Sequence, residues 1–369
     1  MKYLTIIFFS VLILASCNNS EKNEKDYTIN AYITGYFEGN VVLKKIRKGK
    51  LLPVDSLKMK KSKFKFKHVK IPSPEMFFLD IDNGNYIIQF FADPADIQVN
   101  ADFNNGRLEV QGSETQKEFV SFTENNNIYE NKLQKINNQR NLAYSNYDTL
   151  LLKSLDSTYD NVISEQIDFV KKYAYENNKS FVSLYLTLYN LADYLDFNEL
   201  NRIYVHFDDT LKISPYFKEL KDIIEIKKKT QTGMQAPDFS LPDTSGTSIS
   251  LSSLQGKYVL LNFSASWSGY CRADNRVLKK IYEKYKNRDF EIYQISIEQS
   301  KKQWQNVIKA DKVNWITVSD LKGLDCDVLK LYGVRKLPYY FLLNKNGIIV
   351  YSENSIKDPE KILDEIFSE

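Results

Sequence analysis

A chain of 369 residues has room for two or three domains, and a hydrophobic content of 43% is enough to fill packed cores. Its 50 basic and 47 acidic residues leave a formal charge of +3, a near-balance that argues against a nucleic-acid or strongly anionic partner. Its two histidines, His68 and His206, lie far apart with no cysteine or carboxylate at ligand spacing, so no metal site is expected and both read as ordinary surface or core residues.

The N-terminus opens with Met1-Lys2 and an apolar run from Leu4 to Leu14. That run is too short to cross a bilayer as a helix, which takes about 20 residues, but it suits the core of a signal peptide. It ends in Leu14-Ala15-Ser16-Cys17, which resembles the bacterial lipobox: a leucine, two small residues and a cysteine whose thiol accepts a diacylglyceryl group. Residues 1–16 are therefore expected to be a lipoprotein signal peptide, Cys17 the lipidated residue, and 17–26 a polar tether. An ordinary cleaved signal with a chance cysteine is the alternative. Attachment would be by lipid to a membrane of the cell envelope, on the periplasmic side or the cell surface.

From 27 to 114 the pattern is that of short β-strands. Strands are predicted at Asn30–Phe37, Val41–Lys45, Lys63–Lys67, Met76–Ile81, Tyr86–Phe91 and Asp96–Ala101, with Pro72, Pro74, Gly84 and Pro94 punctuating them. Lys63-Phe64-Lys65-Phe66-Lys67 alternates strictly, as a strand with one buried face does. A small β-sandwich is expected. It resembles the N-terminal domain of unknown function carried by many Bacteroidetes thioredoxin-like lipoproteins, in Val54-Asp55-Ser56 ahead of a Phe-x-Phe strand and in Val110-Gln111-Gly112-Ser113 at the exit.

From 115 to 230 the period becomes helical. Ile163, Ile167 and Val170 fall at i, i+4 and i+7, and Phe181–Leu195 reads as one well-buried helix. Asn125–Asn138 reads as an exposed helix or a linker, and Lys227-Lys228-Lys229 as a solvated run at the joint with the next segment.

In residues 231–369 strands alternate with helices. A buried strand Tyr258–Phe263 leads through Ser264-Ala265-Ser266-Trp267-Ser268-Gly269-Tyr270-Cys271 into a helix reaching about Lys286. Strand Phe290–Ile297, helices Lys301–Lys309 and Asp325–Tyr332, strands Tyr339–Leu343 and Ile348–Tyr351, and helix Pro359–Phe367 follow. This is the βαβ plus ββα order of an α/β thioredoxin fold. Gly233-Met234-Gln235-Ala236-Pro237-Asp238-Phe239, Phe263-Ser264-Ala265-Ser266-Trp267-Ser268-Gly269-Tyr270-Cys271-Arg272 and Tyr332-Gly333-Val334-Arg335-Lys336-Leu337-Pro338 resemble three linked motifs of the TlpA/ResA-type membrane-associated thioredoxins.

The resemblance implies thiol–disulfide chemistry. In that family a first cysteine at a helix N-terminus attacks as the thiolate and a second, one turn on, resolves the mixed disulfide. Here Ser268 stands at the first position, Cys271 at the second, and Tyr270 where the family has proline. A hydroxyl cannot form a disulfide, so Ser268 and Cys271 make a degenerate pair and exchange is expected to be impaired. The resemblance also implies a cis Leu337-Pro338 bond that faces the active-site helix and presents backbone to an extended substrate. Trp267, Tyr270 and Pro338 together offer a surface for an extended peptide or an envelope-protein partner.

Three activities remain open from the sequence: residual single-cysteine redox chemistry, peptide or partner binding without chemistry, and a peroxidase-like role for Cys271 in a Ser-x-x-Cys motif. The last lacks the proline that peroxiredoxins place where Ser264 stands. Cys326 begins the helix Asp325–Tyr332, a position that lowers a thiol's pKa, and is either unpaired or bonded to Cys271. Glu298 is either a solvated loop carboxylate or the counterpart of an acidic residue near the family's redox site. No cofactor is expected.

Overall fold

The computed structural model describes residues 25–146, 148–353 and 359–368. Cys17 and the signal segment lie outside them. The chain first builds two facing four-stranded sheets. One has the order β4-β1-β7-β8, from β1 (Asp26–Thr34), β4 (Lys63–Lys70), β7 (Ile97–Asp102) and β8 (Arg107–Gln111), with β1 and β7 parallel. The other has the order β3-β2-β5-β6, from β2 (Gly39–Arg47), β3 (Lys50–Met59), β5 (Glu75–Ile81) and β6 (Tyr86–Ala92). Alternate residues such as Ile29, Leu43, Phe66, Phe77 and Val99 fill the space between the sheets, as period-two patterning dictates. The expected sandwich is present, with two edge strands the sequence pattern did not reveal. β3 is exposed along most of its length and carries Pro53, which an edge tolerates; β8 is exposed or half-buried throughout.

β5 is buried on both faces. Phe77 and Leu79 enter the sandwich core, while Met76 and Phe78 join the core of the helical segment beyond. That segment comprises α1 (Glu114–Ser145), α2 (Thr149–Glu176), α3 (Phe181–Leu186), α4 (Phe197–His206) and α5 (Pro215–Thr230). Side-chain caps start them: Ser113 accepts from the Gln116 N–H, Ser180 from Ser183, and Ser214 from Tyr216 ahead of Pro215. The Tyr216 hydroxyl accepts from the Met76 N–H at 2.9 Å, tying helix to sheet. Asn125–Asn138 is helix, within α1. Phe181–Leu195 is not one helix: after α3 the turns widen across Thr187–Leu191, where the Ala192 N–H donates to the Thr187 carbonyl five residues back. His68 and His206 are both exposed.

The last segment is a five-stranded sheet of order β13-β12-β11-β14-β15: β11 (Tyr258–Ser264), β12 (Phe290–Ser296), β13 (Ile316–Val318), β14 (Tyr339–Leu343) and β15 (Ile349–Glu353). The first three in that order are parallel, and β14 and β15 run antiparallel. A short hairpin of β9 (Ser240–Pro242) and β10 (Ser248–Ser250) precedes it. On one face α6 (Gly269–Tyr285) and α9 (Pro359–Ser368) pack Leu278, Ile281, Tyr285 and Leu363 on Leu260, Tyr340 and Leu342. On the other, α8 (Asp327–Tyr332) covers Phe263 and Phe341 with Leu329 and Tyr332. α7 (Lys301–Asp311) is joined to α6 by Arg272 and Asp311, 2.6 Å apart. This is the thioredoxin fold, and its main strands and helices start and stop within a few residues of the sequence expectation.

Candidate active site

β11 is a buried apolar run that delivers the chain to one end of the sheet, where residues 265–268 turn it into α6. Ser268 is the N-cap, with extended backbone (φ −92°, ψ 118°), and its hydroxyl accepts from the Cys271 N–H at 3.4 Å. Serine is among the best capping residues because its oxygen satisfies a helix-terminal N–H that has no partner within the helix. Cys271 lies one turn inside, 1% exposed. The first turn thus pairs a surface hydroxyl with a thiol turned into the core.

The same sheet end gathers the other predicted residues. Trp267 and Tyr270 are exposed at 62% and 73%, the Trp267 indole held by Nε1–H donating to the Ile297 carbonyl at 3.1 Å. Leu337-Pro338 is cis, as expected, and directly precedes Tyr339, which pairs with Phe263 of β11. Glu298 follows the parallel strand β12 at the same end. It is 2% exposed, and both its oxygens accept from Ser266: one from the backbone N–H and one from Oγ, each at 2.6 Å. The solvated-loop alternative for Glu298 is therefore overturned. Burial pushes its carboxyl above the ordinary value, and the two Ser266 bonds pull it partly back.

Beneath Cys271 sits a pair that sequence reasoning missed. The Tyr340 hydroxyl donates to Asp274 Oδ2 at 2.7 Å. Burial raises the Asp274 carboxyl, and Tyr340 lowers it in part. The Tyr340 hydroxyl is pushed up by burial first, then by Asp274 and Cys271. The signal was present: Asp274 is three residues after Cys271 on one helix face, and Tyr340, with Leu342, points from β14 to that face.

Cys326 does not join this site. It belongs to the core beneath α8, on the opposite face of the sheet from α6, and both thiols are free. Its position before α8 does not lower its pKa, because burial pushes the thiol up. Lys227 is a second correction. Lys228 and Lys229 are solvated, but Lys227 is half-buried at a cleft between α5 and the thioredoxin-fold sheet. Among the described residues no three His, Cys, Asp or Glu side chains converge as a metal site, and no helix is long and apolar enough to cross a membrane.

The AhpC/TSA family profile matches residues 232–352, and a domain of unknown function, DUF4369, matches 27–119. The chain is similar to thiol-disulfide oxidoreductase ResA of Bacillus subtilis (strain 168), 36% identical over 124 residues that make up 34% of this chain and 68% of the relative. It is also similar to the thioredoxin-like protein YneN of the same organism, 34% identical over 32% of this chain and 69% of that one. Among solved structures, a thiol-disulfide oxidoreductase from Bacteroides fragilis is 32% identical over 36% of this chain and 98% of its own, with a TM-score of 0.35. The thioredoxin domain of a Bacteroides vulgatus oxidoreductase is 31% identical over 37% and 96%, also at 0.35. With more than two thirds of a ResA matched at this identity, and a thioredoxin-fold sheet carrying the Phe263–Arg272 and Tyr332–Pro338 motifs, the chain belongs to the ResA/TlpA-type thiol-disulfide oxidoreductase family.

Proposed function

We propose that this chain is an exported envelope lipoprotein, tethered through lipid on Cys17, whose thioredoxin-fold domain holds an extended peptide or an envelope-protein partner and has lost efficient disulfide exchange. The observation that carries this reading is the first turn of α6. Ser268 caps the helix where the family's chemistry needs an attacking thiolate, and Cys271 is almost fully buried behind it. No described thiol is placed to complete a pair with Cys271. The exposed Trp267 and Tyr270 beside cis-Pro338 leave a surface suited to peptide backbone and side chains. The test is a disulfide-reduction assay on the full-length, detergent-solubilised chain, run beside a binding titration with an unfolded, cysteine-free polypeptide. Binding that weakens on Trp267→Ala, without thioredoxin-like turnover, supports the proposal. Robust turnover by the wild-type chain overturns it.

A second reading, peroxide reduction by Cys271 alone, draws support from the AhpC/TSA match. The burial of Cys271 opposes it. Peroxide consumption abolished by Cys271→Ala would establish it in place of the first.

A further inference from the structure

On the opposite face of the sheet from α6, α4 and α5 meet the segment that leads into β14 and enclose a cleft of about 540 Å³. That volume is typical of small-molecule sites. Its walls are built in a particular way. The widened helical turn Thr187–Leu191 brings the Leu188 carbonyl to Arg335 Nη1 at 3.3 Å. The same guanidinium is 3.3 Å from Asp193, so Arg335 is held in place and its charge is matched. Lys336 lies 3.7 Å over the ring of Tyr194.

Lys227 is different. It lines the cleft half-buried and, among the described residues, has no hydrogen bond and no ion pair. Burial lowers its pKa, Asp193 and Asp196 partly restore it from beyond pairing distance, and the neighbouring Arg335 lowers it further. A partly desolvated ammonium without a partner costs free energy that an incoming anion would recover.

We infer that this cleft is a binding site for a carboxylate-bearing ligand the size of an amino acid or short peptide, with Lys227 as the anchor for the carboxylate and Lys336 beside it. The exposed carboxylates Asp196 and Glu353 on the same cleft supply the opposite charge for the ligand's ammonium end, and Tyr194 and Tyr339 give it aromatic walls. This balance of both signs matches a zwitterion better than an inorganic anion. Widened helical turns of this kind occur often at functional sites, and here the turn places the Leu188 carbonyl that holds Arg335. Because Arg335 and Lys336 lie just ahead of Leu337-Pro338, a bound ligand touches the segment that carries Pro338. The site does not depend on whether Cys271 exchanges disulfides.

The test is isothermal titration calorimetry of the full-length, detergent-solubilised chain with tri-alanine and with tri-alanine amide, in the absence of any disulfide substrate. The free acid should bind at least tenfold more tightly than the amide. Lys227→Met should abolish that preference, while Lys221→Met, on the solvent side of α5, should keep it. The inference fails if the wild-type chain binds acid and amide equally, or binds neither at millimolar concentration. That comparison of two ligands on one protein decides the matter even if Lys227→Met does not fold.

Discussion

Ser266 and Glu298 are joined twice, the backbone N–H and the hydroxyl of one residue donating to the two carboxylate oxygens of the other at 2.6 Å each. The loop leading into α6 is thereby pinned to the end of β12 through a carboxyl that is almost fully buried. Burial raises the carboxyl's pKa above its ordinary 4.5, so in the window just above 4.5 the folded state holds a proton that the unfolded state has released. The stability this group contributes is fully present below 4.5 and is lost as the pH rises through the raised folded value. Glu298→Gln removes the titration. Chemical denaturation across pH should show the variant gaining on the wild type through that window, with the difference levelling off above it. A difference independent of pH would mean that Glu298 titrates alike in both states.

The second prediction concerns the pair beneath the thiol. Tyr340 is fully buried and gives its hydroxyl to Asp274. Tyr340→Phe leaves a half-buried carboxyl without this donor and should cost about 1–3 kcal/mol. The Asp274 carboxyl should also move further up, since Tyr340 is what lowers it. Asp274→Ala combined with Tyr340→Phe should cost less than the two single changes summed, because each removes the same contact. Denaturant unfolding of the four proteins measures this, and strict additivity would show that the hydrogen bond carries no coupling.

The third concerns anchoring. The Leu14-Ala15-Ser16-Cys17 spacing predicts a lipidated Cys17. Cys17→Ala should release the protein from the membrane fraction or leave it unprocessed, as read by fractionation and intact mass. Normal processing and full membrane retention of the variant would remove the lipid anchor from the reading.

The parts of the fold that were legible are those where the side-chain pattern and the burial coincide. Tyr258–Phe263 and Phe290–Ile297 are apolar runs because the strands they form are covered on both faces. Lys63–Lys67 alternates because one side of β4 is solvated. The edge strands β3 and β8 left little trace, since an exposed strand needs no apolar stripe and β3 even admits Pro53. Phe181–Leu195 reads as one helix because its composition does not reveal that the backbone bonds shift register at Thr187.

The site divides in the same way. Ser268, Cys271, Trp267 and Tyr270 fall within one motif and could be placed from it. Ser266–Glu298 and Asp274–Tyr340 join residues 32 and 66 positions apart. Only the packing of β12 on β11, and of α6 on β14, reveals those pairs. Lys227 looked solvated because its neighbours are. Its burial is set by the sheet that closes over the end of α5.

The last prediction restores the missing thiol. Ser268 is the N-cap of α6 and its hydroxyl meets the Cys271 N–H. Ser268→Cys should therefore first cost stability, about 1 kcal/mol, because sulfur is a poor capping acceptor. The new thiol sits at a helix N-terminus, where the helix dipole and free N–H groups should lower its pKa below the free value of about 8.5. It is three residues from Cys271, the spacing at which helical side chains meet. Under mild oxidation the variant should form the internal bond, the two thiols giving up two electrons and two protons to the oxidant, and it should gain measurable disulfide-reductase activity. Tyr270 stands between the two positions where the family has proline, so the gain should stay below that of an intact pair. Mass mapping of the folded, oxidised variant reads the bond, and an insulin-reduction assay reads the activity. A variant that forms the bond and remains inactive would show that the surface around Trp267 and Pro338 no longer serves exchange, which supports binding as its role. A folded variant that never joins its introduced thiol to Cys271 would overturn the placement of the active site at the start of α6.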